Sequence, residues 1–530
     1  MPLRVSIDFG TSNTVIACWD EGQGSARVRE IPGWSRPCNA EPRSTPVIPS
    51  LIHYGGEEAR WIGQQVHDRG LLDSPSTVRW MKHYISTRSP VRVPLPGGSR
   101  SYREVGADFL QAILSSILPA QGCEEIEAVF PVPVESFEHY QDWIISLAGS
   151  AGIGRVRVVD EATAAAVASG FTLIPGEVFM LFDMGGGTLD VSVVRLEDKG
   201  DSPGRRCRVL GKAGDDIGGM RMDQWIFGEV WERCMSTCDE RSRKALSRPL
   251  LSACERAKEA LSLGEETEIS ACTGTHDRCE LSIPYTRTEF ERLMEEKGVF
   301  PRLNAVIQRA LQGAYSRGFA EDDLAGVVMV GGCSQIPAIK KALEYRFGRQ
   351  NVRHAHPLET VARGAAACAA EIDLDDHVQH DYALRFWNPR SAEHEYRILV
   401  RQGDPYPSIR PVARLLVRAT YDGQSQLGVP IFEMGKARGN ARSSQRELVS
   451  EPGGGVRLMD IPDDEQAGTH AFWMNENAPF FITANPPAAR DESRFELSFS
   501  LDGNKRLLVT ARDNRTGQVV VKDQPVVRLV

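Results

Sequence analysis

The 530-residue sequence predicts an α/β domain built by duplication, followed by an all-β module. Three observations carry that prediction. Val178–Val194 (VFMLFDMGGGTLDVSVV) places two short apolar runs, rich in β-branched and aromatic residues, on either side of a glycine turn, which is the pattern of a β-hairpin. Arg4–Trp19 (RVSIDFGTSNTVIACW) repeats the plan far away in the chain, so two similar halves are expected to face each other. After Glu371 the composition turns to short alternating segments separated by turn residues, as in hairpins.

Each hairpin carries the same chemistry. Three consecutive glycines, Gly185, Gly186 and Gly187, leave backbone N–H groups open to close approach by an anion. Asp183 precedes them at the strand end, placed for a hydrated divalent cation, and Thr188 offers a hydroxyl. Asp8, Gly10, Thr11, Ser12 and Asn13 repeat the arrangement. A plain hairpin needs only one or two glycines, so phosphate with a metal is the favoured ligand.

Composition narrows the partners. Apolar residues make up 41% and charged residues 25%, enough for two or three folded units. The net charge of −9 argues against nucleic acid as the main partner. No apolar run approaches the roughly 18 residues that span a bilayer, and no secretory segment opens the chain, so no membrane partner is expected. The 11 cysteines contain no C-x-x-C pair and fit reduced thiols in a cytoplasmic protein.

In chain order, Ile31–Thr45 reads as a surface loop and Pro46–Tyr54 as a strand. Ser76–Thr87 carries Lys82 among apolar neighbours; a lone lysine there is ordinarily just solvated. Tyr102–Leu118 has helical apolar spacing, Glu127–Val134 is a strand and Phe137–Ala151 a helix. The next stretch runs strand, Asp160–Glu161, an alanine-rich helix and Gly170. Glu161 faces a cleft or simply favours the helix dipole. Ala213–Asp223, containing Gly218 and Gly219, opens a long helix. Leu246–Leu263 is helical, with Glu255, Lys258 and Ser262 on one face. Thr288–Gly318 is helical with a break at Pro301. Leu324–Gly332 is a buried strand ending at Gly331 and Gly332, where backbone can pack on a flat purine, and His356–Ala370 ends in a second alanine-rich helix.

Together these motifs resemble the seventy-kilodalton heat-shock chaperones, the DnaK-like members of the actin/hexokinase-type ATPases. The resemblance covers nearly the whole chain and rests on five ordered motifs: IDFGTSNT, FDMGGGTLD, VDEATAAAVASG, ACERAKEALS and VMVGGCSQIP. It implies an ATPase domain over residues 1–370, a linker over 371–380 and a β-sandwich substrate-binding domain over 381–530 without a helical lid. It implies ATP or ADP with Mg²⁺, held through water by Asp8 and Asp183, with Lys82, Glu161, Asp183 and Thr188 catalytic. Asp190 would help hold a monovalent cation such as K⁺. Gly10–Asn13, Gly185–Thr188, Gly218 and Gly219 would line the phosphates. Glu255, Lys258 and Ser262 would meet ribose and adenine, with Gly331, Gly332 and Cys333 at the base.

The sequence departs from the family at Ala162, where a proline is usual, and at Glu259 and Gln335, where arginines stack on adenine. Losing both removes roughly 0.5–2 kcal/mol each of cation–π stabilisation, which implies weaker ATP affinity. The linker Ile372–Asp376 is more acidic than the family's leucine-rich one, which puts its docking in question. The reading is therefore an ATP-driven chaperone gripping unfolded or extended peptide, with a J-domain co-chaperone and an exchange factor as partners. The alternative is a nucleotide-gated protein serving one dedicated partner; a small-molecule kinase ranks third because the β module has no catalytic constellation.

Overall fold

The structure is a computed structural model. It describes residues 3–529 apart from 41–42, 57–58, 118–125, 135–137, 170–175, 199–204, 235–238, 273–279, 355, 371–372, 376–377, 379, 389–392, 435–445, 451–455, 461–470, 476–478 and 503–504. The chain divides into two compact units. The first comprises residues 1–134, 142–375 and 446–459, and the second 135–141, 376–445 and 460–530.

The first unit contains two sheets of matching plan. In one, β1 (Leu3–Phe9) and β2 (Asn13–Asp20) form the first hairpin, and β3 (Arg36–Ala40) and β4 (Arg43–Pro49) extend it beyond β2. On the other side β5 (Ile126–Val132) and β6 (Arg155–Asp160) run parallel to β1. In the second sheet β7 (Val178–Met184) and β8 (Leu189–Asp198) form the other hairpin, and β9 (Arg205–Asp215) lies antiparallel beyond β8. Here too parallel strands flank the hairpin, β10 (Leu324–Val330) and β11 (Val352–His354). The repetition of hairpin plus two parallel neighbours is the duplication expected from the two glycine motifs.

Every residue of β5 and β7 is buried, which is why both read as largely apolar runs, broken only by Glu127 and Asp183, rather than alternating ones. Two alanine-rich helices, α2 (Glu161–Ser169) and α5 (Thr360–Ala369), pack together, preceded in the chain by α1 (Met81–Ser86), with α3 (Gly219–Cys234) and α4 (Glu240–Leu263) lying between them in sequence. A Cβ at Gly364 would collide with the carbonyl of Ala164, so small residues set the approach of these helices. One core joins Val129, Val159, Leu181, Val194, Val209 and Ala365 from both sheets and the helices.

Some elements differ from expectation. Arg36–Ala40 is a strand rather than loop, because it pairs with Arg43–Pro49 at the sheet edge, where Pro37 opposite Pro46 is tolerated. The helical region after Thr286 breaks at Gly298, with φ 70°, and Pro301 sits in the first turn of the following helix, where its missing N–H is harmless. The acidic segment Asp373–Asp375 forms β12 at the edge of the second sheet, parallel to β9, pairing with Arg206–Arg208.

In the second unit the described residues after Asp381 include only strands as regular elements. One sheet orders β14 (Glu393–Val400), β13 (Asp381–Asn388), β16 (Ile431–Met434) and β17 (Ala471–Trp473). The other orders β15 (Ala413–Arg418), β18 (Ser493–Leu501), β19 (Arg506–Asp513) and β20 (Val519–Arg528). Tyr382, Leu384 and Ile431 from the first share a core with Phe495, Leu497, Leu507 and Val509 from the second. That is sandwich packing.

Candidate functional site

The two glycine turns meet. A Cβ at Gly186 would lie 2.5 Å from Ser12 Oγ, and one at Gly187 would collide with Thr11 Oγ1. Asp8 lies near the end of β1, and Asp183 faces Asp190 directly across the β7–β8 hairpin. Behind the glycine loop, Gly219 N donates to Gly185 O (3.1 Å) and Met220 N to Gly186 O (2.7 Å). A Cβ at Gly218 would come within 2.7 Å of the Gly187 backbone. The Thr11 and Ser12 side chains can approach this closely only because the Gly185–Gly187 turn carries none of its own.

Charge gathers at this junction. Lys82, buried on α1, donates to Glu161 Oε1 at the head of α2. Burial pushes Asp8 up to about 7, with Glu161 adding to the rise and Lys82 opposing it. Burial, then Glu161, Asp190 and Asp8, hold Asp183 well above the usual carboxylate range. Asp190 is raised for the same leading reasons, although Val134 N donates to its Oδ1 at 2.7 Å. Four carboxylates crowded around one ammonium lack positive charge, which fits a cation at this place. Among the described residues no three His, Cys, Asp or Glu side chains converge tightly enough to hold an ion by themselves. Asn13 Oδ1 is buried without a hydrogen-bond partner, beside the open backbone of the first turn.

The second cluster is built on α4. A Cβ at Gly219 would lie 2.8 Å from both Lys258 Nζ and Cys333 Sγ, so the helix and the loop after β10 come together there. Lys258 Nζ lies 2.8 Å from the buried Asp223 carboxylate, which keeps the ammonium charged against the opposing effect of burial. Burial works against the Glu255 carboxylate, yet Arg79, Lys258 and Arg36 hold it below its ordinary range. Arg79 donates to Glu255 and lies 4.9 Å over the Trp80 ring. Gly331 turns with φ 82°, and a Cβ there would strike Asp183 Oδ1. At Gly332 an added Cβ would make only ordinary contact, with Leu358 Cδ2 at 3.8 Å. Burial pushes the Cys333 thiol up to about 11.

Ser262 stands apart, one turn beyond Lys258, with its hydroxyl donating to the Lys258 carbonyl at 3.2 Å. The other residues that the resemblance assigns to the site lie on the elements of these two clusters, and Gly170 lies outside the described residues. Sequence reasoning missed Arg79 and Asp223 as partners of Glu255 and Lys258. Arg79 could have been noticed as a second cation three residues before Lys82; Asp223 carries no local signal.

The family model described as Hsp70 protein matches residues 86–385. The chaperone protein DnaK of Deinococcus proteolyticus is 28% identical over 552 aligned residues, covering 98% of this chain and 78% of that protein. DnaK of Deinococcus radiodurans is 28% identical, with coverages of 98% and 78%. The chaperone protein HscA homolog of Cupriavidus pinatubonensis is 26% identical over 540 aligned residues, covering 97% and 77%. The family match spans more than half of the chain, and the protein belongs to the Hsp70 family.

Proposed function

We propose that this Hsp70-family protein is a chaperone that binds and slowly hydrolyses ATP, and that nucleotide state regulates its grip on an extended peptide in the β module. The observation that carries the nucleotide half is the meeting of the Gly185–Gly187 turn with the Gly10–Asn13 turn beside four carboxylates and a buried lysine. Backbone N–H groups of Thr11–Asn13 and Gly185–Thr188 would cradle the phosphates. Asp8 and Asp183 would hold Mg²⁺ through water, and the ion would neutralise charge developing on the transferred phosphoryl group. Lys82, fixed by Glu161, orients the attacking water and the γ-phosphate, with the Thr188 hydroxyl beside it. Asp190, anchored by Val134 N, serves a monovalent cation. Glu255 and Lys258 meet the ribose, so Arg79 and Asp223 hold those two side chains in place for it.

For the peptide half, Phe386, Trp387 and Tyr396 on β13 and β14 are exposed and offer apolar contact to an extended chain. A J-domain protein and an exchange factor are the co-chaperones this reading implies.

Calorimetry with Mg·ATP, paired with turnover of Lys82→Ala, tests the nucleotide half. Micromolar binding is expected because no arginine stands at Glu259 or Gln335. Lys82→Ala should bind ATP but not cleave it. Submicromolar binding would refute the weakened base contacts, and undiminished turnover would remove Lys82 from the chemistry. Suppression of aggregation of several unrelated unfolded proteins, with and without ATP, tests the chaperone half, and failure on every one would point to a single dedicated partner.

A further inference from the structure

Two adjacent carboxylates at the β6–α2 junction are each held by a lysine, and the two lysines come from different halves of the nucleotide unit. Glu161 accepts from Lys82 of the first half. Asp160, the last residue of β6, accepts from Lys212 of β9 in the second sheet at 2.5 Å. The side chains of Lys212 and Asp160 are 1% and 2% exposed. Val159 and Ala213, their chain neighbours, and Leu210, two residues before Lys212, are buried apolar residues.

Joining two sheets does not require charge. A well-packed apolar pair of similar volume would serve stability as well or better, since both ions lose their hydration on burial. What an ion pair adds is one short contact of fixed geometry in a medium of low dielectric, where its direction is strongly enforced. Here that contact is made by the residue immediately before Glu161. It fixes the point at which β6 stops and α2 starts, and with it the backbone from which Glu161 reaches Lys82.

We infer that Lys212 is a positioning residue for the Lys82–Glu161 pair: by anchoring Asp160 from the second sheet, it ties the catalytic lysine of one half to the placement of the other. The inference rests on the roles proposed above for Lys82 and Glu161. Any movement of one sheet against the other reaches Glu161 through Asp160, so the chemistry is aligned only when both halves are in register.

The test uses the full chain and two variants, Lys212→Met and the charge-free double variant Asp160→Asn/Lys212→Met. The double variant removes both charges of this pair together and carries the decision if the single one fails to fold. Expected in both is single-turnover ATP cleavage slowed by about tenfold or more, the order that small misplacements cost. Mg·ATP affinity should stay within about threefold of wild type, because a group that acts only on the chemical step leaves binding alone. In nucleotide-free protein, modification of Lys82 by an amine-reactive reagent, followed by mass spectrometry, should rise in the double variant as its pairing with Glu161 loosens. A folded double variant with wild-type cleavage rate and wild-type protection of Lys82 overturns the inference. Wild-type protein that neither binds nor cleaves ATP would instead sink the proposed function, and the inference with it.

Discussion

Gly331 shows how narrowly single residues are constrained at this site. Its φ of 82° and the nearness of Asp183 Oδ1 and the Met184 backbone exclude any side chain. Gly331→Ala should therefore shift the loop and weaken Mg·ATP binding by about tenfold, equivalent to roughly 1.4 kcal/mol; wild-type affinity by calorimetry would refute this. The carboxylates make a prediction of opposite kind. Asp8 is raised to about 7 in the folded protein, and Asp183 and Asp190 are raised too, so the folded state binds more protons than the unfolded one. Their contribution is fully present below the ordinary carboxylate range and is lost as pH rises towards and through 7. Nucleotide-free protein should melt at progressively lower temperature from about pH 5 to about pH 8, and Mg·ADP should flatten that decline. A melting temperature that rises over this range without ligand would refute it. The glycines and aspartates were legible in the sequence because their chemistry is local. Lys82 was legible only through the family resemblance. Its partner lies 79 residues away, Arg79 meets Glu255 across 176 residues and Asp160 meets Lys212 across 52, separations that no spacing rule covers.

Elements were legible where apolar spacing ran to their ends. Helix α4 starts at Glu240, well before Leu246, because Asp239 caps it through Ser242 N at 2.9 Å while its first turn is polar and shows no periodicity. The β3 strand was missed because proline and arginine dominate it, and pairing at a sheet edge overrides that composition. In the β module, β18 carries Arg494, wholly buried, with Nη2 at 2.8 Å from Asp513 Oδ2 and Nη1 at 3.3 Å from Glu492 Oε1. Burial opposes the Asp513 carboxylate, but the Arg515 and Thr516 amides and Arg494 hold it below its usual range. Arg494→Met leaves that carboxylate without its cation and should lower the melting temperature of the β module by about 5 °C or more. An unchanged melting transition would show that the pair contributes nothing.

Across the whole molecule, the strand β12 joins the nucleotide unit to whatever follows it in the chain. The acidic sequence of the linker, with few aliphatics, left its docking in question. In the structure Asp373–Asp375 lies parallel to β9, with Arg206, Cys207 and Arg208 as its partners. Leu374→Pro removes a backbone donor from the middle of this short ladder and should abolish any acceleration of peptide release by ATP while leaving ATP binding intact. Release that still responds to ATP would mean β12 plays no part in coupling. Main-chain pairing of this kind recognises an extended backbone rather than a spelling. The strap between the two units is thus free to drift in side-chain content, as it has here, and keep its seat on β9, whereas a single imino acid in the wrong place would unfasten it.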